Sequence, residues 1–200
     1  MRASAKLIWV ILLSITFSIA SVAQDPKSQN GAVSTSKPAE ASKTFVSTEG
    51  KFAIALPEIK GDPLALNLGI GRFIGKGFSW LQSQGSYTVV YADKPADVRP
   101  RSDPKILALM RTPILWQIQL DKGKNAYEMP MRMGFILGRE YRWETQDVIT
   151  VIRTFVQGDR VYEVTANVPL EDGKGKAAAL KVLDTFKILS DGDLKKLAKQ

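Results

Sequence analysis

The stretch from Ile149 to Val168, "ITVIRTFVQGDRVYEVTANV", constrains the fold more than any other. Two runs rich in apolar residues flank Gly158-Asp159, a two-residue turn signal that closes a hairpin. Placing Gln157 opposite Arg160 pairs Phe155 with Tyr162, Arg153 with Val164, Val151 with Ala166 and Ile149 with Val168. Opposed residues share a face, so the hairpin has one apolar face interrupted only by Arg153. A charge on such a face needs a partner. Glu140 and Glu144 on the preceding predicted strand are the expected partners.

Other segments show a period of two. Phe52, Ile54 and Leu56 alternate after the turn signal Glu49-Gly50, and Pro57 ends that strand because it lacks the N–H a ladder needs. Phe78 to Pro95 reads as a hairpin about Gln84-Gly85. Pairing Ser83 with Ser86 opposes Gln82 to Tyr87, Trp80 to Val89 and Phe78 to Tyr91. Met131, Met133, Phe135 and Leu137 alternate, Gly138 interrupts, and "REYRWE" resumes as a strand before a turn at Thr145-Gln146-Asp147.

Two segments switch to the helical period. Ser102 or Asp103 caps the first, Pro104 suits its opening turn, and Ile106, Leu109, Met110 and Ile114 form its stripe. Pro113 is placed to kink or end it, which leaves one helix or two short ones open. In Glu171 to Leu189 the stripe is Ala179, Val182, Leu183 and Phe186. Strand neighbours joined as hairpins with helices at the margins argue an α+β fold, an antiparallel sheet covered by helices.

The 200 residues contain no Cys and no His. Disulfides, thiolate nucleophiles, Cys or His zinc sites and the Ser-His-Asp triad are thereby excluded. The expectation is a protein that is not an enzyme and holds no cofactor or metal.

"MRASAKLIWVILLSITFSIASVAQ" has the three parts of an export signal: Arg2 and Lys6, the apolar run Leu7 to Ala20, and small residues before a cut between Ala23 and Gln24. The run, at about 14 residues, is shorter than the ~20 that span a bilayer, so no stable span is expected after signal removal. Residues 24–43 carry two prolines and almost no large apolar side chain, the composition of a flexible linker. The domain is expected over 44–190 and a polar tail over 191–200. The destination is outside the cytoplasm, in a bacterial periplasm or secreted.

The glycines in "LGIGRFIGKGFSW" (Leu68 to Trp80) raise the question of a phosphate loop. A Walker motif fails because Gly77 follows Lys76 where Ser or Thr is required, and Ile70 stands where the first glycine belongs. A Rossmann fingerprint fails because Ile74 occupies its third glycine position. The stretch is expected to be a pliant connection into the Phe78 strand. Arg72 and Lys76 remain candidate contacts for an anion or an acidic partner.

Lys and Arg number 28 against 20 Asp and Glu, a formal charge of +8, and removing Arg2 and Lys6 leaves 26 against 20, or +6. Arg139 and Arg142 interleave with Tyr141 and Trp143, and are the other two candidate contacts. An inward aromatic face with charges outward gives the same pattern. With no long basic run, nucleic acid is not the expected partner. Glu140 and Glu144 share a strand face, but nothing marks a catalytic pocket beside them.

The order of "EGKFAIALP", "YTVVYADKP", "GREYRWE", "IRTFVQGDRVYEVTANVP" and "AALKVLDTFKIL", from about Phe45 to Leu189, resembles the PsbP-like superfamily of small extracytoplasmic domains. That resemblance implies an α-β-α sandwich with an antiparallel central sheet, and no catalytic residues. The resulting expectation is an exported, non-enzymatic binding or accessory domain contacting an envelope protein. The alternative is a periplasmic small-molecule or anion-binding protein. The oligomeric state is left open.

Overall fold

Ten strands and three helices follow one another in a computed structural model that describes residues 43–56, 63–70, 73–82, 85–99, 101–170 and 173–199. The export signal with its Ala23–Gln24 cut, most of the linker, and Arg72 lie outside the described residues.

The main sheet has seven antiparallel strands: β3 (Leu64–Ile70), β4 (Phe73–Gln82), β5 (Gly85–Asp93), β9 (Arg160–Pro169), β8 (Val148–Gln157), β7 (Ile136–Glu144) and β6 (Lys124–Met133), in that spatial order. A second sheet pairs β1 (Lys43–Ser47) with β2 (Phe52–Leu56) and β2 with the two-residue β10 (Lys187–Ile188). The helices are α1 (Asp103–Leu120), α2 (Gly173–Asp184) and α3 (Asp191–Leu197). The composition of elements is α+β, dominated by antiparallel sheet.

Alternation decides which face each strand offers to which layer. On one face Trp80, Val89, Tyr91, Val151, Phe155, Tyr162 and Val164 meet Phe52, Ile54 and Leu56 of the small sheet and Ala179, Leu183 and Phe186 around α2. Aromatic rings knit this core: Phe186 lies 5.7 Å from Phe52 and 5.8 Å from Phe155, and Phe45 lies 4.9 Å from Phe78. The opposite face takes α1, whose Ile106, Leu107 and Met110 pack with Phe73, Val90, Val156 and Val161. Further along α1, Ile114 packs on Tyr141, Trp143 and Ile152.

The hairpin of β8 and β9 has the register expected from Gly158-Asp159, with Phe155 opposite Tyr162 and Arg153 opposite Val164. The hairpin of β4 and β5 differs from expectation by two residues. Gln82 pairs with Gly85, Trp80 with Tyr87 and Phe78 with Val89. Gly85 enters the ladder at φ 135° instead of forming the turn. A two-residue shift keeps every side chain on its face, so Phe78, Trp80, Val89 and Tyr91 still look into one core.

The glycine stretch is strand, not a pliant connection: β3 runs to Ile70 and β4 starts at Phe73. Its glycines answer to close approach. A Cβ on Gly75 would lie 2.4 Å from the carbonyl oxygen of Tyr91, and one on Gly77 would lie 2.7 Å from that of Val89. Gly138 likewise does not interrupt; β7 passes through it beneath the Phe155 ring. The break falls instead at Gly134 (φ 61°), which leaves Phe135 on the tip of the β6–β7 hairpin, 99% exposed.

The first helix is single and carries Pro113 inside it. Interior proline costs about 3 kcal/mol, and burial of Ile106, Leu107, Met110 and Ile114 on both sides of it offsets that cost. The second helix ends at Asp184, short of the expected Leu189. Thr185 accepts from the Ala55 backbone N–H at 2.9 Å, which turns the chain onto β2. Phe186 thus stays in the core as expected, but from outside the helix. Residues 191–197 form the short α3, capped by Ser190 and Asp193.

Candidate functional site

Chemistry-bearing side chains gather at three places: the hairpin-tip end of the main sheet, the buried margin of β7, and the outer flank of α1.

At the first, the turn between β1 and β2 comes against the ends of β4, β5 and β9. Lys76 of β4 donates to Glu49 Oε1 at 2.6 Å. Arg160, directly after the Gly158-Asp159 turn, donates from Nε to Asp93 Oδ1 at 2.8 Å and from Nη1 to the Glu49 carbonyl at 2.6 Å. Its guanidinium stands 5.2 Å from the centre of the Tyr91 ring. The Lys76 ammonium bonded to Glu49 holds that carboxyl below its usual range. Burial first, and the Glu49 charge second, push the Tyr91 hydroxyl up to about 12. Beside this network opens a cleft of about 420 Å³ lined by Lys51, Asp93, Gln157, Asp159, Arg160 and Tyr162, among others. Lys51 is itself paired with Asp191 at 2.7 Å. The wall therefore presents both signs of charge, a surface for a small polar or zwitterionic group.

At the second, Arg153 donates from Nε to Glu140 Oε2 at 2.7 Å and pairs through Nη1 with Asp184 Oδ1 at 2.7 Å. Of the two carboxylates expected to meet Arg153, Glu140 does so. Glu144 instead accepts from Asn125 at 2.6 Å. Arg142 closes the group by donating from Nε to Glu140 Oε1 at 2.6 Å. Arg153 thus ties β7 to the last residue of α2, a structural role.

The arrangement of "GREYRWE" is not simply aromatics in and charges out. Arg139, Tyr141 and Trp143 share the α1 face, whereas Glu140, Arg142 and Glu144 share the other, with Glu140 buried. The pair Arg139 and Arg142, three residues apart on a strand, therefore lies on opposite sides of the sheet. Arg139 is bonded to Glu128 on β6, which also accepts both Nε contacts of Arg111 from α1, at 2.9 and 2.8 Å. Lys76, Arg139 and Arg142 are each engaged with a carboxylate, and no two of them meet in one patch.

The third place went unread in the sequence. Arg111 turns one flank of α1 toward β6 and the Ile106–Met110–Ile114 stripe faces the sheet. The remaining flank carries Pro113, Trp116 and Leu120, three and four residues apart, while Leu109 at the same spacing is half-buried against the core. Trp116 is 68% exposed and Leu120 72%. The spacing was a legible second stripe, masked by the attention that Pro113 draws as a helix breaker. Among the described residues no helix is long and apolar enough to cross a membrane.

No protein-family model matches the chain, and no curated protein does. Among solved structures, the solution structure of cyanobacterial PsbP (CyanoP) from Synechocystis sp. PCC 6803 is similar, with a TM-score of 0.49 and 10% identity over 79% of this chain and 98% of that one. PsbP is the family that the sequence texture resembles. A crystal structure from Bacteroides thetaiotaomicron VPI-5482 is similar with a TM-score of 0.34 and 14% identity, over 75% of this chain and 49% of that one.

Proposed function

We propose that this chain is an exported, non-enzymatic accessory domain that contacts another protein of the cell envelope. The observation that carries this reading is the apolar outer flank of α1, where Trp116 and Leu120 stand in solvent. Tryptophan is the residue most enriched where protein interfaces concentrate their binding energy, and an exposed apolar stripe on a rigid helix suits a protein surface. The leader read over residues 1–23 supports an encounter outside the cytoplasm. The same reading takes the architecture as an α-β-α sandwich, supported by α1 and α2 on opposite faces of the main sheet.

The test is cross-linking and affinity capture of the C-terminally tagged full-length chain expressed in its own cells, beside Trp116→Ala and Leu120→Ser. One reproducible partner lost with both variants is the expected result. Retention of that partner by both variants, or no partner for the parent, overturns the reading.

A second reading, a small polar or anionic ligand, is favoured by the 420 Å³ cleft with Arg160 and Lys51 in its wall. It places the ligand away from Arg139 and Arg142, with Lys76 at the same end of the sheet as a secondary contact. A thermal-shift screen of inorganic anions and amino acids against parent and Arg160→Ala tests it. A shift confined to the parent supports it, and no shift with any compound overturns it.

A further inference from the structure

The two edges of the main sheet are treated differently. On β6, Pro130 removes a donor, Lys124, Glu128 and Arg132 carry charge, and the ladder slips between Lys124 and Tyr127. These are the devices that keep an edge from pairing with another chain. On β3, "LALNLGI", there is no charge, no proline and no slip over seven paired residues. Among the described residues no strand lies on its outer side.

Strand β3 is also complementary to itself. Leu64, Leu66, Leu68 and Ile70 fall on the α1 face, with Leu64 64% and Leu68 38% exposed, and Ala65, Asn67 and Gly69 fall on the other. A second copy laid antiparallel about a two-fold axis at Asn67 opposes Leu66 to Leu68, Leu64 to Ile70 and Ala65 to Gly69. That register engages all seven residues. It puts leucine against leucine on one face and small residues together on the other. The two Asn67 side chains, exposed in the single chain, then face each other and can exchange amide hydrogen bonds. Such a contact is isologous, as a two-fold dimer requires. Lys76, opposite Asn67 on β4, is held by Glu49.

We propose that two copies of this chain associate through β3, antiparallel about Asn67, to form one continuous sheet across the dimer. A seven-residue edge is about 23 Å long, a small contact, so the dimer is reversible and depends on concentration. The contact is made by β3 and not by α1, and it does not rest on the partner reading above.

The experiment is analytical ultracentrifugation of the purified exported protein over a range of concentrations, with Asn67→Lys, Asn67→Asp and an equimolar mixture of the two. Asn67 is exposed, so either replacement leaves the fold intact, which a thermal melt of each variant verifies. At a two-fold axis each variant opposes its own charge, and association weakens by roughly fivefold or more. The mixture brings opposite charges together and restores it. A parent monomeric at every concentration overturns the proposal. So does a dimer indifferent to both variants, or one that mixing does not restore.

Discussion

Arg153 on β8 and Glu140 on β7 sit opposite each other in the ladder and share a 2.7 Å hydrogen bond with both side chains almost wholly removed from water. Glu140 is the centre of the group because it answers two guanidinium ions, Arg142 as well as Arg153. Removing it takes the carboxylate from Arg142 and leaves the buried Arg153 with only the exposed Asp184. Glu140→Ala is expected to cost about 3 kcal/mol or more, read as a lowered urea midpoint at unchanged slope. A loss below about 1 kcal/mol would show that water already reaches the group.

Gly75 is expected to be intolerant of any side chain. A Cβ there would stand 2.4 Å from the Tyr91 carbonyl, which forces β4 away from β5. Gly75→Ala should destabilise by about 1–3 kcal/mol, seen in thermal melts. A neutral outcome would mean that the β4–β5 ladder gives way without cost.

Glu163 supplies a pH dependence. It lies between Val90 of β5 and Thr154 of β8, and burial pushes its carboxyl up from 4.5 to about 7. The unfolded chain releases this proton near the ordinary value, so between 4.5 and about 7 the folded chain holds more protons than the unfolded one. The group's contribution to stability is whole below that window and is lost as pH rises through it. Glu163→Gln should flatten this part of the curve and gain stability relative to the parent at pH above 7. Parallel curves for the two proteins across the window would refute it.

Trp116 should behave as a surface residue for folding. Trp116→Ala is expected to change stability by no more than about 0.5 kcal/mol, while removing the envelope partner. A large loss of stability would place the indole in the core of the fold and withdraw it from any interface.

Much of the fold was legible because it depends on short-range patterns. Gly158-Asp159 between two strand-forming runs specified the β8–β9 register, and that register placed Arg153 on an apolar face and called for a carboxylate beside it. The β4–β5 hairpin shows where such reasoning thins. Parity put Phe78, Trp80, Val89 and Tyr91 on one face, but two registers share that parity, and Gly85 suits a turn as well as a ladder.

What the sequence by itself determined was the set of faces: which residues look inward along each strand and helix, since period two and period 3.6 are properties of the local chain. Only the tertiary structure decided which faces meet. The glycine-bearing start of β4 lies so close to β5 that the carbonyls of Tyr91 and Val89 leave no room for a Cβ at Gly75 and Gly77, a contact between segments that neither segment reveals alone. Arg160, Glu49 and Lys76 come from three separate regions and converge because the strand order brings their ends together. Trp116 and Leu120 are exposed because α1 spends its other flanks on the sheet and on Glu128, and a helix has more sides than one sheet can cover.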